Sequence, residues 1–336
     1  MRIAIYGAGS LGTILGAYLS KDNLPVDLIT RDRKHVEALN KDGAKVVGTV
    51  NMTVPVHALT PDEMEGEYDI IFLMTKQLDN RSTLEFLLPH LAKDGILCTM
   101  QNGMPETLVS EIVGEERTMG CAVAWGATKL GPGVSELTSE KESMSFALGR
   151  PNGTIDDKVL LVKEVLEHMC PVTIEKNFLG SRMSKLLINS AFSGMSAVCG
   201  KTFGEVAKDK RSREVIQNII KECIDVSKKS GIQIEPIQGK DIVKLLDYHS
   251  ALKKKFSFLI IPIAIKKHRL LKASMLQDIE QGKKTEIDSI NGVICAMGRK
   301  VSVPTPCNDM VVKIIHEIEE GKRKPSMDNV ALFRAK

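Results

Sequence analysis

Lys185, Asn189 and Ser193 recur at i, i+4 and i+8 in a segment whose other positions include Leu186, Leu187, Ile188, Ala191 and Phe192. On a helix this spacing sets an ammonium and an amide on one face of an otherwise apolar rod. A lysine in such surroundings needs a partner, and burial lowers its pKa toward the range of a working proton donor. The plainer alternative is a lysine that snorkels to solvent at the helix start. Further along, Glu286 falls in the expected first turn of another helical run. The helix dipole favours a carboxylate there, and the same carboxylate could pair with Lys185. Two strand ends also carry polar residues where α/β proteins build sites: Thr75-Lys76-Gln77 after Met74, and Gln101-Asn102-Gly103 after Met100. Asn-Gly alone also favours a plain turn.

A second chemistry is written at the N-terminus. The apolar strand Arg2–Tyr6 runs into Gly7-Ala8-Gly9-Ser10-Leu11-Gly12, and a helical pattern (Leu11, Leu15, Tyr18, Leu19) follows. Strand, G-x-G-x-x-G and helix in that order form a dinucleotide-binding signature. Gly7 permits the tight turn, Gly9 lets backbone approach a pyrophosphate, and Gly12 lets helix and strand pack closely. The second strand, Val26–Ile29, ends in Thr30-Arg31-Asp32-Arg33-Lys34 rather than in an acid alone. A guanidinium at that tip can hold a 2′-phosphate, so NADP is the expected cofactor, with Arg31 as main contact and Arg33 or Lys34 in support. Asp32 could instead face the ribose of NAD, and the charges could also belong to a solvated loop.

These residues need elements to hold them. A chain of 336 residues suggests two domains. The first part alternates strand and helix signals, with strands at 68–74, 95–100, 119–124, 145–149 and 172–174. It reads as an α/β, Rossmann-type doubly wound sheet over residues 1–177. Beyond it, 3.6-residue periodicity takes over at 180–198, 213–229, 242–254, 275–281, 285–299 and 306–320, which reads as an all-α substrate-binding domain over 178–336. Substrate is expected between the two, near the carboxyl ends of the strands. Ser274 with Gln277, and more weakly Thr285 with Asp288, fit capping boxes.

Composition removes other functions. Hydrophobic residues make up 43% and charged ones 26%, and the net charge of +4 gives no nucleic-acid signal. The seven cysteines and seven histidines show no ligand spacing, so no metal is expected, and the scattered cysteines fit reduced thiols in a cytoplasmic protein. No signal peptide is visible. The apolar run Phe256–Ile265 falls short of the ~20 residues a membrane span needs, so no membrane partner is expected. Its basic flanks, Lys253–Lys255 and Lys266–Arg269, could touch a membrane surface or an acidic partner. The favoured reading is a helix pair covering the active-site cleft, with its lysines in solvent.

Taken together, these motifs resemble the ketopantoate reductases (2-dehydropantoate 2-reductases). The resemblance covers the glycine loop, Thr75-Lys76, Gln101-Asn102-Gly103, Gly126-Ala127-Thr128 with Gly131-Pro132-Gly133, and Lys185-Leu186 with Asn189. It extends to Ser274-Met275-Leu276-Gln277-Asp278 and Thr285-Glu286-Ile287-Asp288 with Asn291-Gly292. It implies a fold like that of 6-phosphogluconate dehydrogenase and NADPH-dependent reduction of a small 2-oxo acid to a 2-hydroxy acid, in pantothenate and coenzyme A synthesis. It also implies roles. Lys185 would protonate the developing alkoxide, and Glu286 would place that lysine and reach the cofactor. Asn102 would contact nicotinamide ribose and substrate. Asn189, Ser193 and Ser274 would bind substrate, while Lys76 would line the cofactor side with the loop Gly7, Ala8, Gly9, Ser10, Leu11 and Gly12. A homodimer is one assembly open to such a chain. The family often carries asparagine where this chain has Ser193, and glutamine near Asp79. Those departures keep a second reading open, a dehydrogenase for another branched or aromatic 2-oxo acid. A non-catalytic dinucleotide sensor is the third reading.

Overall fold

The computed structural model describes residues 1–237 and 239–333, and the chain divides into two units, Met1–Phe178 and Leu179 onward. The first unit opens with β1 (Ile3–Tyr6), α1 (Ser10–Lys21), β2 (Val26–Ile29) and α2 (Arg33–Asp42), followed by β3 (Ala44–Gly48), β4 (Met52–Val54) and β5 (His57–Leu59). It continues with β6 (Tyr68–Leu73), α3 (Asn80–Leu87), β7 (Leu91–Thr99), α4 (Glu106–Val113) and β8 (Thr118–Val123). After β9 (Ala127–Gly131) and β10 (Val134–Leu137) come β11 (Phe146–Gly149), α5 (Asp157–Glu167) and β12 (Val172–Ile174).

Eight strands form the main sheet in the order β12-β11-β8-β7-β6-β1-β2-β5, parallel throughout except where β11 meets β8. Its central strands are apolar on both faces: Ile3, Ala4, Ile5, Ile70, Ile71 and Phe72 expose nothing, as expected of a sheet covered by helices on both sides. The chain leaves β1 toward β2 on one side and returns to β6 on the other. The carboxyl ends of β1 and β6 therefore border the switch point, where open α/β sheets bind ligands.

A second sheet, in the order β4-β3-β10-β9, is absent from the sequence expectation. Its strands are three to five residues long and mix Lys, Thr, Ser and Glu with apolar residues, so none reads as a buried run. The signal lay instead in α1, which is buried at every position from Gly12 to Leu19. A helix apolar all round needs cover on both sides. The main sheet gives one side, and β3, β4, β9 and β10 pack on the helix as well.

The second unit holds α6 (Phe178–Ile188), a π-helical turn at Asn189–Ser193, α7 (Gly194–Cys199), α8 (Phe203–Lys208) and α9 (Lys210–Lys229). Then follow α10 (Ile242–Leu246), α11 (Ala251–Ala264), α12 (Ser274–Glu280), α13 (Ile287–Lys300) and α14 (Pro306–Glu319). The long α9 buries Val215, Ile216, Ile219, Ile220, Cys223 and Ile224 along one stripe, and α8, α10, α11, α13 and α14 pack around it.

Three helix expectations are corrected here. The helix expected over 242–254 is two helices: the chain turns at Asp247, whose carboxylate gathers Lys221, Lys228 and His249 at 3.2, 2.5 and 2.9 Å. The helix pair expected over the basic segment is a single helix, α11, containing Pro262, with a short 3-10 turn at Lys266–His268 behind it. Neither capping box forms. Ala273, not Ser274, is the N-cap of α12, and the Thr285 hydroxyl accepts from Ile287 N while donating to Glu319. No helix among the described residues is long and apolar enough to cross a membrane.

Candidate active site

The glycine loop closes as its spacing dictates. Gly7 has φ +111°, and a Cβ there would stand 2.5 Å from Thr75 N, so the turn admits only glycine. A Cβ on Gly12 would stand 2.5 Å from the Gly7 carbonyl oxygen, which fixes how closely α1 follows the loop. Gly9 differs: a Cβ there would find no protein atom nearer than 4.0 Å. The space beside Gly9 is open at the start of α1, whose first N–H groups lack intrahelical acceptors. That opening suits a pyrophosphate.

A pocket of about 270 Å³ adjoins the loop, lined by Gly7, Thr30, Arg31, Thr75, Lys76 and Asp79 among others. It brings together three expected cofactor contacts, Gly7, Arg31 and Lys76. Among the described residues no carboxylate pairs with the exposed Arg31. Its neighbours are engaged elsewhere. Asp32 caps α2 through His35 N (3.2 Å) and takes Lys129 Nζ at 2.7 Å, and Arg33 pairs with Asp62 at 2.9 Å. The hydrogen bond from Lys129 holds the Asp32 carboxyl below its usual range. These residues fit a dinucleotide.

Gln101, half of the polar pair that ends β7, proves to be a clamp. It is 3% exposed, and its Nε2 donates to Thr75 O at 2.9 Å and Asn80 Oδ1 at 2.8 Å. The clamp ties the end of β7 to the end of β6, and so sets Asn102 beside the Lys76 segment; Gln77 Nε2 donates to the Asn102 carbonyl.

His35 escaped the sequence reading because a lone histidine in a helix carries no spacing signal. It is fully buried. Its Nδ1 accepts from Gly133 N at 2.9 Å, its Nε2 lies 2.9 Å from Thr13 Oγ1, and that hydroxyl reaches the Ala8 carbonyl at 3.4 Å. A neutral imidazole thus links the glycine loop to the turn between β9 and β10. Burial, with Lys129 nearby, lowers its pKa to about 4. The unfolded chain therefore holds more protons between pH 6.5 and about 4. The stabilisation is complete above pH 6.5 and is lost as pH falls through that window, by up to about 3 kcal/mol. Urea unfolding between pH 4.5 and 7 checks this: His35→Gln should flatten the pH dependence by about one proton, and parallel curves for the two proteins would refute it.

In the helical unit, Lys185 lies half-buried in the last turn of α6, and Asn189, also half-buried, opens the π turn. The single α-helix expected over 180–198 is interrupted at this point. A π turn carries i→i+5 bonds and more residues per turn, so the spacing from Asn189 to Ser193 is not that of an α-helix. Ser193 is buried, at 8% exposure. Both α12 and α13 pack against the π turn, and these helices carry Ser274 as the exposed first residue of α12 and Glu286 as the N-cap of α13. Glu286 thus stands one position before the first turn expected for it. The buried thiols of Cys170, Cys199 and Cys295 are pushed up to about 12, which removes thiolate chemistry from these positions.

The sequence pattern of Ketopantoate reductase PanE/ApbA matches residues 3–150, and that of Ketopantoate reductase PanE/ApbA C terminal matches residues 177–319. The chain belongs to the ketopantoate reductase family. Related proteins include the 2-dehydropantoate 2-reductases of Aquifex aeolicus, 25% identical over 94% of this chain and 96% of that one, and of Pyrococcus horikoshii, 27% identical over the same shares. Two solved structures share the fold. One is a PanE/ApbA family ketopantoate reductase from Ralstonia eutropha JMP134, with TM-score 0.81 and 23% identity over 96% of this chain and 99% of that one. The other is D-mandelate dehydrogenase with NADH and anilino(oxo)acetate, with TM-score 0.79 and 23% identity over the same shares. Family membership makes the chain an oxidoreductase that acts on a CH–OH group with a nicotinamide cofactor.

Proposed function

We propose that this ketopantoate reductase family member reduces 2-dehydropantoate to pantoate with NADPH, the pantoate serving pantothenate and coenzyme A synthesis. One observation carries the reading: a half-buried lysine stands one turn before Asn189, at a π turn on which the helices of Ser274 and Glu286 pack. In this reading the loop Gly7, Ala8, Gly9, Ser10, Leu11 and Gly12 holds the pyrophosphate, Arg31 the 2′-phosphate, and Lys76 and Asn102 the nicotinamide side. A bound dihydronicotinamide supplies the hydride. As the carbonyl carbon gains that hydride, negative charge grows on its oxygen. The Lys185 ammonium stabilises this charge and then donates one Nζ proton, leaving a neutral amine and the 2-hydroxy acid. Glu286 places and polarises the lysine before the step. Asn189, Ser193 and Ser274 hold the hydroxyl and carboxylate of the substrate.

A second reading changes only the substrate, to another branched or aromatic 2-oxo acid. It is favoured by Ser193, a short hydroxyl at a buried site, and by the shared fold with D-mandelate dehydrogenase. Loss of NADPH absorbance with ketopantoate, beside a panel of 2-oxo acids and with NADH as control, tests both. Highest kcat/KM for ketopantoate with NADPH is expected. A higher value for another 2-oxo acid transfers the assignment to the second reading, and absence of turnover with every one refutes both.

A further inference from the structure

A π turn widens a helix and takes some of its carbonyls out of the ordinary i→i+4 ladder, so something outside the helix must hold it. In the turn Asn189–Ser193 the Ser190 carbonyl accepts from Asn291 Nδ2 at 3.0 Å. Asn291 lies on α13 and is fully buried. The same Nδ2 donates to Asn308 Oδ1 at 2.9 Å.

The direction of this relay is set from its far end. The Glu222 carboxylate on α9 accepts from the backbone N–H groups of Cys307 (2.8 Å) and Asn308 (3.0 Å) in the first turn of α14. It also accepts from Asn308 Nδ2 at 2.7 Å. Asn308 must therefore turn its amide nitrogen to Glu222 and its oxygen to Asn291. Asn291 must in turn present its NH2 to both Asn308 and Ser190. Flipped, its oxygen would face two acceptors. Its own Oδ1 is left without a donor among the described residues. It points toward Gly194, where a Cβ would stand 2.9 Å away. A buried amide that leaves its oxygen unmatched is costly for core packing alone, whereas it makes sense as a fixed donor to the turn.

We propose that Asn291 is the positioning residue of the π turn: by holding the Ser190 carbonyl it sets where Asn189 and Ser193 stand for the 2-oxo acid. The inference rests on the reading that this turn binds the substrate. Asn291 touches neither substrate nor cofactor in this scheme. Its removal therefore acts on substrate binding and leaves the dinucleotide site alone.

The test compares wild type, Asn291→Ser, Asn291→Asp, Ser193→Ala and the double variant Asn291→Ser/Ser193→Ala, with melting temperature recorded for each. Ser193→Ala checks the underlying reading and should raise the KM for the 2-oxo acid. Asn291→Ser should raise the same KM roughly tenfold, with the dissociation constant for NADPH changed less than about twofold. In the double variant the two costs should add only in part, because the Ser193 hydroxyl is already gone and only Asn189 is left to misplace. Should Asn291→Asp fail to fold, Asn291→Ser carries the comparison. If Ser193→Ala leaves KM unchanged, the substrate reading of the turn fails and the positioning role falls with it. If Ser193→Ala raises KM but Asn291→Ser does not, or Asn291→Ser weakens NADPH equally, Asn291 is structural only and the proposal is overturned.

Discussion

Replacing Lys185 by alanine lowers kcat by about 10²- to 10⁴-fold, while the KM for the 2-oxo acid shifts only a few-fold. The asymmetry follows from when the ammonium matters. Ground-state substrate carries a neutral ketone oxygen, to which a lysine adds little. The charge that needs the ammonium exists only as the carbon–oxygen double bond opens. Lys185→Arg should be nearly as slow, since a guanidinium keeps its proton too tightly to deliver it at neutral pH. Steady-state kinetics at saturating NADPH, with small primary amines added back to Lys185→Ala, provide the check. Partial recovery of kcat by amines is expected for a missing proton donor. A variant that loses KM and keeps kcat would make Lys185 a binding residue only, and would move the proton donor elsewhere.

How far the sequence disclosed this site depended on where each residue gets its constraint. The glycine loop was legible because backbone geometry alone demands it: at Gly7 and Gly12 an added Cβ would collide with backbone atoms, whatever the rest of the fold does. The central strands were legible because burial on both faces leaves uninterrupted apolar runs such as Ile70–Leu73. The small sheet was not, since short strands that bury one face look like loops, and only the all-round burial of α1 betrays their presence. The helix of Lys185 was placed correctly, but its π turn was invisible. The turn is held from outside by Asn291, on a helix far away in sequence. His35 and Gln101 share that property: each is a buried polar group whose partners come from distant strands and turns. Periodicity reports what a segment buries, and it is silent about tertiary hydrogen bonds that decide the phase of a turn or the set of a loop.

Arg31→Ala raises the KM for NADPH by about 10- to 100-fold and leaves the KM for NADH within about twofold. A guanidinium meeting a phosphate makes charge-assisted, often bidentate hydrogen bonds, and removing one such pair of bonds at an exposed site corresponds to this range. Its two nearest charged neighbours are engaged elsewhere. Arg33 is drawn off by Asp62 at 2.9 Å, and Asp32 is committed to Lys129 and to the start of α2. The position of Arg31 beside Gly7, Thr75 and Lys76 puts its side chain at the tip of β2, where the dinucleotide's ribose is expected to lie. NADH carries no 2′-phosphate, so its binding should hardly register the change. Fluorescence titration of both dinucleotides against wild type and variant separates cofactor binding from turnover. Arg31→Glu should go further and reverse the preference, since a carboxylate repels the phosphate and accepts from a free 2′-OH. Equal weakening of NADH and NADPH by Arg31→Ala would show that the residue supports the loop and not the phosphate. The discrimination between cofactors would then have to come from Lys34 or Lys76.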